Sequence, residues 1–242
     1  MARRRRGRAA RKLTLRPPGT PMTLLRLSDP RVALIPVVET GEPLIALDGL
    51  SARLRTDRSA ENRTFLGYDV GFRARETVGM KLAEASRRLP GSYTMLVKES
   101  LRPSALQDKW FRAYREKILT DHPGIAEDDA NALASRYVAP PSVAGHPTGG
   151  AIDVTLCDGD RRELDLGCPY DADEASSNGA CRSACDTLEP QAAAHRRILF
   201  TVLGEAGFVN YPFEWWHWSY GDRYWAVVMR REHALYGAVD MR

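Results

Sequence analysis

The chain has 242 residues, 43% apolar and 27% charged, with 19 Gly and 15 Pro. That composition excludes collagen-like, coiled-coil and wholly disordered architectures, and no apolar run approaches the ~20 residues of a membrane-spanning helix. The net charge of +4 hides an asymmetry: residues 1–21 carry eight basic residues and no acid, leaving 27 basic against 31 acidic residues in 22–242.

In chain order, residues 1–21 read as a disordered basic tail, one-signed in charge and without apolar period. Clustered Arg binds phosphate, so an arm for nucleic acid or a membrane surface is one reading. An unstructured leader ahead of a start at Met22 is the plainer one. Leu13-Thr14-Leu15 is too short for the apolar core of an export signal, so a cytoplasmic location is expected. For the mildly acidic remainder no nucleic-acid partner is expected, nor a membrane.

Residues 23–38 and 43–47 are predicted as short extended segments, broken by Pro30, Pro36 and Pro43. Val78, Leu82, Ala85 and Leu89 lie at helical spacing within 73–89, and Pro90-Gly91 ends that helix. Residues 93–98 are a central strand candidate. Pro103 opens a helix to about Leu119 with Leu106, Trp110, Tyr114 and Ile118 on its apolar face. A further helix covers about 125–137, stopped by Pro140-Pro141.

Residues 151–156 alternate, with Ile152, Val154 and Leu156 on one face and Asp153 and Thr155 on the other. Residues 157–185 are loop-like. A helix over about 190–206 has Asp186 or Thr187 as its cap and Gly207 past its end. Residues 215–220 and 223–229 flank Gly221-Asp222 as a predicted hairpin. Helices and strands mix without a βαβ rhythm. The expectation is an α+β single domain over 22–242, with a mainly antiparallel central sheet flanked by helices.

Three segments carry chemistry. In the first, His146 sits in a Gly/Pro-rich turn and Asp153 on the strand face opposite Ile152 and Val154. Imidazole and carboxylate are natural zinc ligands, although His-x6-Asp alone also describes a surface turn feeding a strand. The second is Glu214-Trp215-Trp216-His217. Positions i and i+3 of a regular strand face opposite ways, so for both to serve one site Glu214 must lie at a bend. The competing reading is a hairpin packed by aromatic pairs. Jointly, two His, one Asp and a spare Glu form a catalytic-zinc inventory, with an open fourth position and a carboxylate able to take a proton from water. His195 reads as an exposed or packed helix residue. The third segment places Arg102 between a strand and a helix. There it suits a developing oxyanion or a carboxylate, or simply pairs with Glu99 or Asp108 at the surface.

These segments, with Gly67-Tyr68, Leu101-Arg102-Pro103, the Gly-x-x-Tyr-Asp loop at 167–171 and their order, resemble the D-alanyl-D-alanine dipeptidases, a zinc peptidase family, over most of residues 22–230. The resemblance implies a Hedgehog/D,D-peptidase-like fold and a small closed pocket for a dipeptide. It implies one Zn²⁺ per chain on His146, Asp153 and His217, with Glu214 as general base. It gives Arg102 the oxyanion and Asp171 the substrate's free ammonium. The family often has Ser two residues before the first ligand and a basic residue two after. Here these are Ala144 and Thr148, a departure that bears on contacts to the substrate carboxylate. The implied reaction is hydrolysis of D-alanyl-D-alanine to two D-alanines. Alternatives are a same-fold D,D-carboxypeptidase, a broader D-dipeptidase, or a zinc-binding module without catalysis. Cys157, Cys168, Cys181 and Cys185 are expected as free thiols, two disulfides being the alternative.

Overall fold

The computed structural model describes residues 24–135 and 138–239. The predicted basic tail and the end of the helix predicted to reach Tyr137 lie outside the described residues.

A five-stranded sheet organises the chain. Its strands are β2 (Leu54–Thr56), β4 (Thr94–Glu99), β5 (Ala151–Cys157), β7 (His217–Ser219) and β6 (Val209–Asn210), in that spatial order. Only β2 and β4 run parallel; the other three pairings are antiparallel, as expected. A separate antiparallel pair joins β1 (Leu44–Ala46) to β3 (Arg73–Arg75). The alternation predicted for β5 explains its role. Ile152, Val154 and Leu156 join Met95 and Val97 of β4 in the main core. Helices α3 (Glu76–Arg87) and α6 (Pro190–Glu205) add Val78, Leu82, Leu199 and Leu203 to it. Asp153 is on the other face, yet it is buried as well. A polar residue buried there must have partners.

The helix predicted after Pro103 is α4 (Ser104–Asp121), and α5 (Glu127–Ala134) packs on it through Ile118, Ala130 and Ala134. Helix α2 (Ala60–Leu66) is capped by Ser59, whose side chain accepts from the Asn62 N–H. His195 is a packed residue of α6, its Nδ1 2.8 Å from the Asp165 carbonyl. All four cysteines are free. Among the described residues no helix is long and apolar enough to cross a membrane.

Three expectations are corrected. Residues 30–34 are not extended but form α1 (Pro30–Leu34), because Asp29 caps it and Pro30 sits at its first position. Helix α6 is preceded by Glu189 without a side-chain cap, not by Asp186 or Thr187; Pro190 needs no N–H partner there. The hairpin at Gly221-Asp222 does not form. Asp222 accepts from the Trp225 N–H and starts α7 (Arg223–Val228), which buries Tyr224, Trp225 and Ala226. The capping carboxylate and the burial of Tyr224 and Trp225 prevailed over the turn signal.

Candidate active site

One cross-strand row builds the site. Glu99 of β4 lies opposite Asp153 of β5, and Asp153 lies opposite His217 of β7. Directly opposed residues share a face of a sheet, so three strands deliver three polar side chains to one place. His146 comes from the single 3₁₀ turn before β5 (His146–Thr148), which ends at Gly149 with φ +72°. The second His reaches the row through a bend of the predicted kind. The His217 N–H meets the Glu214 carbonyl at 3.3 Å, closing a turn that brings positions i and i+3 together. Asn210 holds the bend from below, its Nδ2 donating to the carbonyls of Glu214, Trp215 and His217.

The structure brings His146, Asp153 and His217 together, all buried. Asp153 Oδ1 is 3.0 Å from His217 Nδ1 and 3.3 Å from His146 Nε2, and the two ring nitrogens are 3.2 Å apart. Ligand atoms 2.0–2.1 Å from a small tetrahedral ion stand about 3.3 Å from each other, so this triangle matches one face of such a coordination shell. The donor set passes a second test. His146 Nδ1 donates to the Ser100 carbonyl at 2.8 Å, which leaves the Nε2 lone pair facing the cluster. Burial disfavours the imidazolium of His146, but the carboxylates of Asp153 and then Glu99 outweigh it and raise its pKa. Burial likewise opposes the Asp153 carboxylate, but the His146 and then the His217 imidazole hold its pKa far below the usual range. The pocket thus stabilises positive charge at its centre. His217 Nε2 is buried with no hydrogen-bond partner among the described residues.

Glu214 borders the same cleft, and burial pushes its carboxyl up to about 7, against the opposing pull of His217. A carboxyl in that range can both accept and return a proton near neutral pH. Arg102 lines the cleft too, but it is no surface arginine. Only 13% of its side chain is exposed, and it forms a two-pronged ion pair with Glu99. Of the two partners considered, Glu99 and Asp108, the structure has Glu99, and the pair is buried where a surface pair was the alternative. Asp171 stands at the mouth in a left-handed conformation, φ +59°. Solvent reaches it, yet the surrounding protein, then Asp153 and Glu99, raise its pKa.

The sequence reading missed three groups as members of this site, Tyr68, Gln107 and Trp110. It also missed that Tyr170 donates to Asp153 Oδ2 at 3.1 Å. Tyr68 and Tyr170 lie in the quoted Gly-Tyr and Gly-x-x-Tyr-Asp segments, which was the available signal. Glu99 was named only as a surface partner of Arg102, and its burial in the site was not foreseen. The pocket is also not closed. A cavity of about 180 Å³ over the metal-type cluster adjoins a second, of about 360 Å³, across Val138, Asp171, Glu214 and Trp216.

A buried cluster of two histidines and one carboxylate, with a further carboxylate and an arginine beside it, is the equipment of a hydrolase that works with a single divalent metal. The chain belongs to the M15 peptidase family of D-Ala-D-Ala dipeptidases, whose model matches residues 72–235. It is 34% identical over 111 residues to the D-alanyl-D-alanine dipeptidase of Synechocystis sp., covering 39% of this chain and 44% of that protein. The match therefore spans less than half of that relative. It is 30% identical over 164 residues to the D-alanyl-D-alanine dipeptidase of Enterococcus faecalis, covering 64% of this chain and 77% of that protein. A solved structure of the vancomycin resistance D,D-pentapeptidase VanY in complex with Zn(II) is similar at 16% identity and a TM-score of 0.36, covering 69% of this chain and 88% of that one.

Proposed function

We propose that this chain hydrolyses the dipeptide D-alanyl-D-alanine to two D-alanines as a zinc metallopeptidase. The observation that carries the reading is the buried convergence of His146, Asp153 and His217 within 4.8 Å of one another, with Glu214 lining the same cleft. One zinc ion per chain, held by His146 Nε2, Asp153 Oδ1 and His217 Nδ1, would supply the Lewis acidity that polarises an amide carbonyl and acidifies water.

The protein's own groups do the rest. Glu214 accepts the proton of the attacking water and delivers it to the leaving amine. Arg102, its charge secured by Glu99, faces the oxygen on which negative charge develops. Asp171 at the mouth takes the substrate's free ammonium. Trp216 and Trp110 border the cleft.

The test is metal analysis paired with an assay of D-alanine release, with and without chelator. Zinc near one per chain and chelator-sensitive release support the reading; release unaffected by complete metal removal overturns it. A second reading, a D,D-carboxypeptidase acting on longer cell-wall peptides, is favoured by the 360 Å³ cavity beyond Asp171. N-acetyl-D-Ala-D-Ala separates the two. Equal cleavage of the free and blocked peptides removes the dipeptidase reading in favour of the second.

A further inference from the structure

A regular strand puts residues i and i+2 on one face. Strand β4 breaks that rule at its end. Val97 pairs with Val154, but the next paired residue is Glu99, opposite Asp153, so Lys98 is an extra residue and the strand bulges. Without the bulge Lys98 would stand opposite Asp153, and Glu99 would follow Val97 into the apolar core. The bulge instead turns the Glu99 carboxylate to the Asp153 face, a known use of bulges beside active sites.

There the carboxylate is spent entirely within the protein. Glu99 is 1% exposed. Its Oε1 accepts from Arg102 Nε at 2.7 Å and from the Tyr68 hydroxyl at 2.6 Å, and its Oε2 accepts from Arg102 Nη2 at 2.6 Å. The remaining arm of the guanidinium, Nη1, donates to Gln107 Oε1 at 2.6 Å, and Gln107 Nε2 is itself tied to the Ala139 carbonyl. The guanidinium carbon lies 4.5 Å from the centre of the Trp110 ring, whose edge meets Tyr68. Fork, stack and side bond together leave the guanidinium one plane and one direction.

We infer that Glu99 is the positioning residue for the arginine of this cleft. It touches no substrate. It holds Arg102 in the orientation in which the guanidinium meets developing charge, so that no reorganisation is needed when that charge appears. The inference rests on the role given to Arg102 above.

The test uses the full-length protein in five forms: wild type, Glu99→Gln, Glu99→Asp, Arg102→Ala and the double variant Glu99→Gln/Arg102→Ala, wild type and the last two closing a double-mutant cycle with Glu99→Gln. Glu99→Gln should lower kcat for D-Ala-D-Ala by about 10²-fold, the effect of misplacing a catalytic group by ~1 Å, with KM nearly unchanged and zinc content retained. Glu99→Asp, which keeps the charge, should recover part of the loss. In the Arg102→Ala background, Glu99→Gln should lower kcat no further. Additive losses across the cycle, or a loss confined to KM, would overturn the inference. The double variant buries neither charge alone, so it keeps the cycle readable if Glu99→Gln folds poorly. An activity-free readout is the Nε–H resonance of Arg102 in ¹⁵N NMR. It should be sharp and slow to exchange in wild type and lost in Glu99→Gln; persistence in Glu99→Gln refutes the positioning role. Should wild type fail to cleave D-Ala-D-Ala, the proposed function falls, and this resonance still decides whether Glu99 holds Arg102.

Discussion

Gly145, the residue before the first candidate ligand, lies directly against the carboxylate of Asp222, which caps α7. A Cβ at Gly145 would overlap Asp222 Oδ2 and stand 2.7 Å from the Ala151 Cβ. Asp222 is 1% exposed and cannot swing away without releasing the Trp225 N–H it caps. Gly145→Ala should therefore lower stability by about 1–3 kcal/mol, the usual range for overpacking. It should also weaken zinc retention, since the displaced backbone leads into His146. Thermal melts and competition against a chelator measure the two effects; an unchanged melt with unchanged retention would show that the site absorbs the methyl group.

Ligand and base substitutions should separate cleanly. His146→Ala, Asp153→Asn and His217→Ala are each expected to abolish zinc co-purification. Glu214→Ala should keep the metal and lose about 10²–10⁴-fold in turnover, the range for general acid–base groups. Elemental analysis on the same preparations as the assay decides; a metal-free Glu214→Ala protein would make that residue a ligand.

The acid limb of stability should depend on Asp57. Burial opposes its ionisation, but the Lys98 ammonium 2.5 Å away prevails and holds the carboxyl below its ordinary value. A carboxyl with a lowered folded-state pKa stabilises the fold above the unfolded value of about 3.9, and that contribution disappears as pH falls through the folded value. Asp57→Asn should thus flatten the loss of stability below about pH 4. At pH 7 it should destabilise by about 1–3 kcal/mol, because Lys98 is left with the more exposed Glu163 alone. Urea titrations at pH 7 and pH 3.5 read both numbers.

Arg196 of α6 ties down the long irregular segment that carries Tyr170 and Asp171. Its guanidinium donates to the carbonyls of Leu166 and Arg182, each at 2.6 Å, and to that of Ala180. Arg196→Met keeps the length of the stem but removes all three bonds. The expected loss is about 3 kcal/mol or more, with faster proteolysis between residues 158 and 189. Limited proteolysis with mass mapping checks the location; cleavage elsewhere would deny the tether.

The candidate site was legible to different depths. His146, Asp153, His217 and Glu214 stood out because the metal binding and proton transfer proposed for them use those residue types, and for Glu214 and His217 to serve one site their spacing demanded a bend. The bend is there, closed by the contact between the His217 N–H and the Glu214 carbonyl. Arg102 was visible as a cation beside a strand end, but its depth was not, because burial depends on what α4 and Gln107 cover. Helix α7 was misread although its cap was in plain view. Gly221-Asp222 fits two local structures, and only the packing of Tyr224 and Trp225 chooses between them.

Local pattern alone settled the chemical inventory and most of the elements: which residues can bind a cation, where β5 alternates, where α3, α4 and α6 run. These follow from side-chain type and from the 2.0 and 3.6 periods, which neighbours in sequence suffice to reveal. Tertiary structure alone decided that Glu99 shares a row with Asp153 and His217, and that the cleft opens past Asp171. Both depend on strand register, and a single extra residue at Lys98 reverses which face a side chain meets.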